Sequence, residues 1–286
     1  MMQIRKVQTH TEYEQCVDLQ QRVWGFSDRE LVPSRTMIVA QKHGGCVLGA
    51  FSEAGELVGF ALSFASFYQG RFAQHSSMLA VQADRRDHGV GRRLKLAQRQ
   101  DALARGIEVI TWTFDPLETR NAHLNLNKLG AVAAHYLENH YPQSSSEIYS
   151  GLGTDRFLAE WWIGSERVRK TLEATESAQR LSADTTGEWP CVNRARLTPD
   201  GLVEPGEPQL TVSAAPLLVE VPSDINQIKL RQFNLAVAWR ENTRGVLRHF
   251  MNSGLKATRL LFEEAQPASP VRRAFYLLER EFPHEN

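Results

Sequence analysis

The sequence predicts an α/β fold, and three observations carry that prediction. Residues Met78 to Lys95, MLAVQADRRDHGVGRRLK, read as a strand, a polar turn with two glycines, and a helix beginning beside the second glycine. Ahead of them, Cys46 to Phe51 and Leu57 to Phe64 are two apolar runs around a Gly-containing turn, the pattern of a hairpin. After them, strand and helix patterns alternate as far as a helix that ends at Gly130. With 286 residues and a hydrophobic share of 42%, the chain can bury one large core or two ordinary ones.

Composition narrows the function classes. Lys+Arg and Asp+Glu are both 33, so the chain lacks the basic excess of a nucleic-acid binder. No apolar run reads as a signal peptide or a membrane span, so a cytoplasmic protein is expected, with neither nucleic acid nor membrane as partner. Cys16, Cys46 and Cys191 are far apart and lack metal-ligand spacing, which reads as reduced structural thiols and no metal site.

In chain order, Ile4 to Val7 is a short first strand, and Tyr13, Cys16, Val17, Leu19, Val23 and Trp24 recur at helical spacing before Gly25. Asp28 to Arg35, which holds Leu31-Val32-Pro33, reads as a loop or short helix. The hairpin follows, then a turn at Phe67 to Arg71 and the strand Gln74 to Val81. The next helix, about Val90 to Ala104, places Val90, Leu94, Ala97 and Ala104 on one stripe, interrupted by Asp101. Ile107 to Phe114 is a strand stopped by Asp115-Pro116. Asn121 to Leu129 is a helix, and Ala131 to Leu137 and Phe157 to Ile163 are strands.

The glycine turn is the chemically informative stretch. Gly89 and Gly91 at a strand-to-helix junction let the backbone turn tightly and leave consecutive amides with no side chain over them. Arg85, Arg86, His88, Arg92, Arg93 and Lys95 crowd that helix start, against only Asp84 and Asp87. Each cation at the positive end of a helix dipole costs up to about 1 kcal/mol unless an anion joins it. A polyphosphate ligand accounts for the arrangement; the same residues also read as a solvated basic helix start.

No third glycine of a dinucleotide fingerprint follows, and no Gly-Lys-Ser/Thr of a P-loop. What matches is Arg86-x-x-Gly89-x-Gly91 after an apolar strand ending at Val81, which resembles the pyrophosphate motif of the GNAT acyltransferase superfamily. Lys128-Leu129-Gly130-Ala131 is similar to that superfamily's second junction, and the resemblance covers roughly residues 2 to 165. Thr113-Phe114-Asp115-Pro116, Asn121 and Asn125 resemble a longer, less characterised branch of it. The resemblance implies a mixed, mostly antiparallel sheet flanked by helices over residues 1–165, with 166–286 as a C-terminal α/β extension. It further implies an N-acetyltransferase that passes an acetyl or other acyl group from acetyl-CoA (coenzyme A) to a small-molecule or peptide amine by direct attack. A homodimer is compatible with it, and a non-catalytic acyl-CoA sensor on the same scaffold is the alternative.

By the same resemblance, Arg86, Asp87, His88, Gly89, Val90, Gly91 and Arg92 hold the phosphates. Backbone groups at Leu79 and Val81 pair with the pantetheine arm. Asn121 and Asn125, at i and i+4, share a helix face that could meet the cofactor, or else cap and solvate the helix. Amine attack on a thioester needs a base for the amine and an acid for the leaving thiolate. His75 at the start of the cradle strand and Asp115 at a strand end are candidate bases; Glu118 and His123 stand nearby. Such enzymes often carry a tyrosine four residues before the junction glycine, and here that residue is Leu126, so Tyr136 and Tyr141 are the substitutes.

The second half reads less clearly. Ser165 to Leu181 has a charged helical pattern, with loops at Asp184 to Glu188 and Leu197 to Pro208 around a short strand at Cys191 to Ala195. Leu217 to Val221 is a strand, Pro222-Ser223-Asp224 opens a long helix to about Asn252 with a break expected near Gly245, and Ala257 to Phe262 and Ala274 to Leu278 are strands. The helix end Leu247 to Gly254 echoes His123 to Gly130, as a partial repeat of the first half would.

Overall fold

The computed structural model describes residues 2–142, 151–174, 189–265 and 271–280. The chain divides into two compact units, the first chiefly Met1–Trp112 with Trp161–Gly164. The second is Thr113–Pro142, Leu152–Glu160 and the chain from Ser165 onward. The units therefore do not divide at residue 165, because the strand Val132–Leu137 pairs with a C-terminal strand through Ala133 and Ala257. The expected α/β class with a mostly antiparallel, helix-flanked sheet is what the structure has. Among the described residues no helix is long and apolar enough to cross a membrane.

In the first unit the strands run β1 (Gln3–Lys6), β2 (Cys46–Phe51), β3 (Leu57–Tyr68), β4 (Arg71–Val81) and the start of β5 (Val109–Phe114). All neighbours are antiparallel except β4 and β5, which are parallel. Helix α1 (His10–Trp24) is opened by a capping box in which Thr9 Oγ1 accepts from the Glu12 amide at 3.2 Å, and Gly25 ends it at φ 63°. Its stripe Tyr13, Cys16 and Leu19 is buried with Phe60 and Leu62 of the sheet.

A second helix, α2 (Ser34–Lys42), starts only at the end of the stretch read as a loop or short helix, Asp28 to Arg35, and runs on through residues to which the sequence assigned no element. It buries Met37 and Ala40 alone and has no side-chain cap, so its local signal is weak. The β3–β4 turn is also tighter than expected. Tyr68 and Arg71 pair across two residues of positive φ, Gln69 and Gly70, as a two-residue hairpin loop requires.

Helix α3 (Val90–Leu103) packs Val90 and Leu94 on Cys46, Leu48, Ala50, Val58 and Ala61. Asp101, which interrupts its apolar stripe, is bridged to Lys6 at 2.7 Å and to Arg105.

The second unit holds α4 (Thr119–Ala122), which widens into a π-helical turn at His123–Lys128, then β6 (Val132–Leu137), β7 (Arg156–Trp162) as far as Glu160, and α5 (Glu166–Glu173). After these come a small hairpin, β8 (Arg196–Leu197) with β9 (Val203–Glu204), and β10 (Leu217–Val221). Helices α6 (Ile225–Arg231) and α7 (Phe233–Asn252) and strands β11 (Leu255–Glu263) and β12 (Arg273–Arg280) close it. Its sheet order is β7-β6-β11-β12-β10, antiparallel throughout. Asp224 caps α6 through the amides of Asn226 and Gln227, as expected.

Three expectations change. The long helix breaks at Gln232 (φ −148°, ψ 89°) and not at Gly245, which lies inside α7. Cys191 to Ala195 is no strand: Cys191 makes one bridge to Leu218, and the Asn193 side chain then bonds both backbone groups of Glu220 in place of a ladder. The charged helix after Ser165 is observed as Glu166–Glu173, while its expected continuation past 174 and the loop Asp184 to Glu188 lie outside the described residues. A strand, helical segment and antiparallel strand pair follow one another twice along the chain, as β5-α4-β6-β7 and, with two helices between the strands, as β10-α6-α7-β11-β12.

Candidate active site

The first unit contains a break in its own sheet. Strand β4 pairs with β5 only at Ala73–Val109, Gln74–Ile110 and His75–Thr111. At the same level the β3–β4 ladder slips, with Leu62 opposite Met78 but Ser63 opposite Ser76, so Ser77 bulges out. A bulge bends its strand, and here the bend coincides with the end of the parallel pairing.

The edge left beyond this point has a defined polarity. Gln82 donates to the Val58 carbonyl at 3.0 Å, which sets the phase of the antiparallel ladder. By that phase Met78 and Ala80 bond to β3, while the backbone groups of Leu79 and Val81 face the opposite edge. Arg86 Nε reaches the Val81 carbonyl at 3.3 Å.

At the end of β4 the chain makes a 3₁₀ turn, Ala83–Arg85, and enters α3 through Asp87 (φ 63°) and Gly89 (φ 74°). The first helical bond runs from Arg93 N to Gly89 O at 3.0 Å, and no side chain caps the helix. The amides of Val90, Gly91 and Arg92 therefore have no intrahelical acceptor. Ala83 through Gly89 are exposed, and a Cβ placed on Gly89 would meet nothing within 4 Å. Arg85 pairs with Asp84 at 3.4 Å, and Arg93 bonds the Met2 carbonyl at 2.9 Å. The Arg92 Nε is buried without a partner. Open amides, an orphaned guanidinium nitrogen and no acid in the first helical turn fit a phosphate group.

Lys95 does not join those cations. It is only 2% exposed, and its Nζ donates to Ser76 Oγ and Gln98 Oε1, each at 3.0 Å, and lies 3.7 Å from the centre of the Trp112 ring. Burial pulls its ammonium down to about 7. The acceptors and the ring face favour the cation, so geometry and desolvation pull in opposite directions. Gln98 continues the cluster to Gln74, which Ser63 also bonds, and Gln74 Nε2 is buried without an acceptor. Sequence reasoning missed this cluster. Its signal is Gly91, Leu94, Lys95, Gln98 and Ala102 at helical spacing, two of them polar where a sheet-facing stripe should be apolar.

Of the candidate bases, His75 is half-buried on β4 with Nδ1 3.1 Å from Thr111 Oγ1, at the last paired level before the split. The remaining candidates belong to the second unit and are engaged there. Asp115 caps its turn through the Leu117 amide and accepts from Arg240 Nη2 at 2.6 Å. The Tyr136 hydroxyl donates to Asp155 Oδ2 at 2.6 Å, and burial, then the Asp155 charge, holds its phenol above the ordinary range. Asp155 is in turn held by Arg244 at 2.8 and 3.0 Å.

Tyr141 is the exposed one, at 43%, with its hydroxyl 2.9 Å from Thr113 Oγ1. Glu118 bonds Asn226 at 3.1 Å, and burial raises its carboxyl. His123 is pushed down by burial and keeps a buried Nδ1 without a partner. Asn121 is exposed while Asn125 is buried, so the two do not share one face; the π turn that begins at His123 changes the spacing between them. Leu126 is a core residue, 1% exposed.

No family model matches the chain, and no curated protein matches it either. Solved structures similar to it include the ribosomal-protein-S18-alanine N-acetyltransferase of Escherichia coli, at 18% identity over 57% of this chain and 94% of that one, with TM-score 0.45. An acetyltransferase of the GNAT family from Streptococcus pneumoniae is 19% identical over 56% of this chain and 98% of that one, with TM-score 0.45. The yncA protein of Salmonella typhimurium, solved with its cofactor acetyl-CoA, is 16% identical over 57% and 94%, with TM-score 0.47.

Proposed function

We propose that this chain is an acyl-CoA-dependent N-acyltransferase that hands an acetyl or other acyl group to an amine by direct attack. The observation that carries the reading is the coincidence, within one unit, of uncapped amides at Val90 to Arg92 with a parted strand pair whose free edge holds Leu79 and Val81. Coenzyme A supplies a diphosphate, an amide-bearing arm and a thioester-activated acyl group. The segment Arg86 to Arg92 binds the diphosphate through main-chain amides and Arg92. Leu79 and Val81 offer backbone groups to the arm, and an amide of this edge can stabilise negative charge on the carbonyl oxygen. His75, the one candidate base in the same unit as this edge, takes the proton of the amine. Asp115 and Tyr136 hold Arg240 and Asp155, and we assign them to the architecture of the second unit.

The test is thiol release from acetyl-CoA across a panel of amines. Release that depends on the amine supports the enzyme. A second reading, an acyl-CoA-binding module without turnover, is favoured by Leu126, a buried apolar residue where a leaving-group tyrosine is expected. Tight coenzyme A binding with no amine-dependent release would select it.

A further inference from the structure

We propose that Lys95 is the acid that protonates the departing thiolate, because its Nζ lies at the point where β4 and β5 part. The proposal rests on the acyl-CoA reading and deepens it. His75 and Thr111 form the last pair of the parallel ladder, so Ser76 and Trp112 are the first residue beyond it on each strand. Lys95 Nζ touches both, Ser76 Oγ at 3.0 Å and the Trp112 ring at 3.7 Å. An amine from α3 thus sits at the inner end of the gap whose edge carries the outward-facing backbone groups of Leu79 and the Val81 amide, the Val81 carbonyl being taken by Arg86.

Donors in this cluster outnumber acceptors. A lysine ammonium has three protons, of which Ser76 Oγ and Gln98 Oε1 take two. Gln74 Nε2, buried nearby, has no acceptor at all. The groups facing Lys95 are uncharged: Ser76 from β4, Gln98 from its own helix, Trp112 from β5, and Trp161, whose ring centre is 5.7 Å away. Such a cluster is short of one negative or accepting atom. Lowered to about 7 by burial, the lysine both holds and releases a proton near neutrality.

The step balances without another reactant. The amine nitrogen forms a bond to the carbonyl carbon and loses its proton to His75, and the carbon–sulfur bond breaks with its electron pair going to sulfur. Sulfur takes a proton from Lys95 and leaves as the thiol, and the cycle closes as His75 releases its proton to solvent and the neutral lysine takes one up. This assigns an acid to a chain whose usual acid position is Leu126.

Free coenzyme A is the probe, read through the ultraviolet absorbance of its thiolate in a pH titration with the protein in excess. No acceptor amine is needed. Bound to the wild-type protein, the thiol is expected to ionise well below free coenzyme A as one coupled pair with Lys95, because the thiolate holds the ammonium charged above the value of about 7 that burial alone gives it. Lys95→Met should still bind coenzyme A, more weakly by the lost ion pair, and return the thiol to its free value. A wild-type thiol that titrates as in free solution overturns the proposal, whether or not the variant folds. So does a shift that survives Lys95→Met. Failure of the wild-type protein to bind coenzyme A is a separate outcome, which removes the acyl-CoA reading and this proposal together.

Discussion

Replacing Gly89 by valine separates binding from folding. Gly89 has φ 74°, and a Cβ added there lies within 4 Å of no atom beyond its neighbours in the chain. The cost to the fold is backbone strain alone, about 1–3 kcal/mol for a β-branched residue in the left-handed region. For a chain of this length each kcal/mol lowers the melting temperature by about 2–4 °C, so the variant should still fold. The cost to binding is larger. The side chain would stand over the amides of Val90, Gly91 and Arg92, and hydrogen bonds to a charged group contribute about 1.5–3 kcal/mol each. Losing two of them removes about 3–6 kcal/mol, or roughly a hundredfold to ten-thousandfold in affinity. Calorimetric titration with coenzyme A alongside a thermal melt measures both effects. A folded variant that binds coenzyme A like the wild type would refute the cradle.

Other substitutions test the energetics. Because the Lys95 ammonium is lowered to about 7, wild-type stability should fall as pH drops from about 10.5 to 7 and level off below that. Lys95→Met should abolish the slope and gain up to about 5 kcal/mol at neutral pH, less whatever the Trp112 face and two oxygen acceptors return to the cation. Urea midpoints across that range check it, and parallel curves for the two proteins would contradict it. Gly130→Ala places a Cβ 2.8 Å from Thr171 Oγ1 and 3.3 Å from the Val168 Cα at φ 75°, and should cost about 2–4 kcal/mol. Gly254→Ala, at the corresponding helix end of the second succession, has φ 92° but open space, and should cost only about 1–2 kcal/mol of strain in the same denaturation assay. Arg240→Ala takes the 2.6 Å partner from the half-buried Asp115 carboxylate, leaves it Arg156 at 3.7 Å, and should cost about 1–3 kcal/mol. A loss under about 1 kcal/mol would show that Arg156 and solvent suffice for Asp115.

The two halves of the chain differed in how openly they declared themselves. The hairpin, β4, α3 and the glycines between them were legible because their signals are local: alternating or helical apolar spacing, and positive φ where only glycine is comfortable. Asp224 was readable for the same reason, as a side chain bonding amides two and three residues away. Helix α2 was hidden by having two buried apolar residues and no cap. The break at Gln232 was hidden because nothing in Gln232 or its neighbours forbids helix, whereas Gly245 invites a break and does not make one.

The sequence by itself determined where the glycine turn with its uncapped helix start must lie, since backbone freedom and helix polarity are properties of a few adjacent residues. Only the tertiary structure decided that β4 and β5 part after His75 and Thr111, that Asp115 and Tyr136 are already engaged by Arg240 and Asp155, and that Lys95 turns into the sheet instead of toward the cradle. Each of these depends on partners 17 or more positions away, as Lys95 depends on Ser76 and Trp112. A polar side chain is buried only where such partners satisfy it, and their arrival is a property of the folded chain that local spacing does not encode.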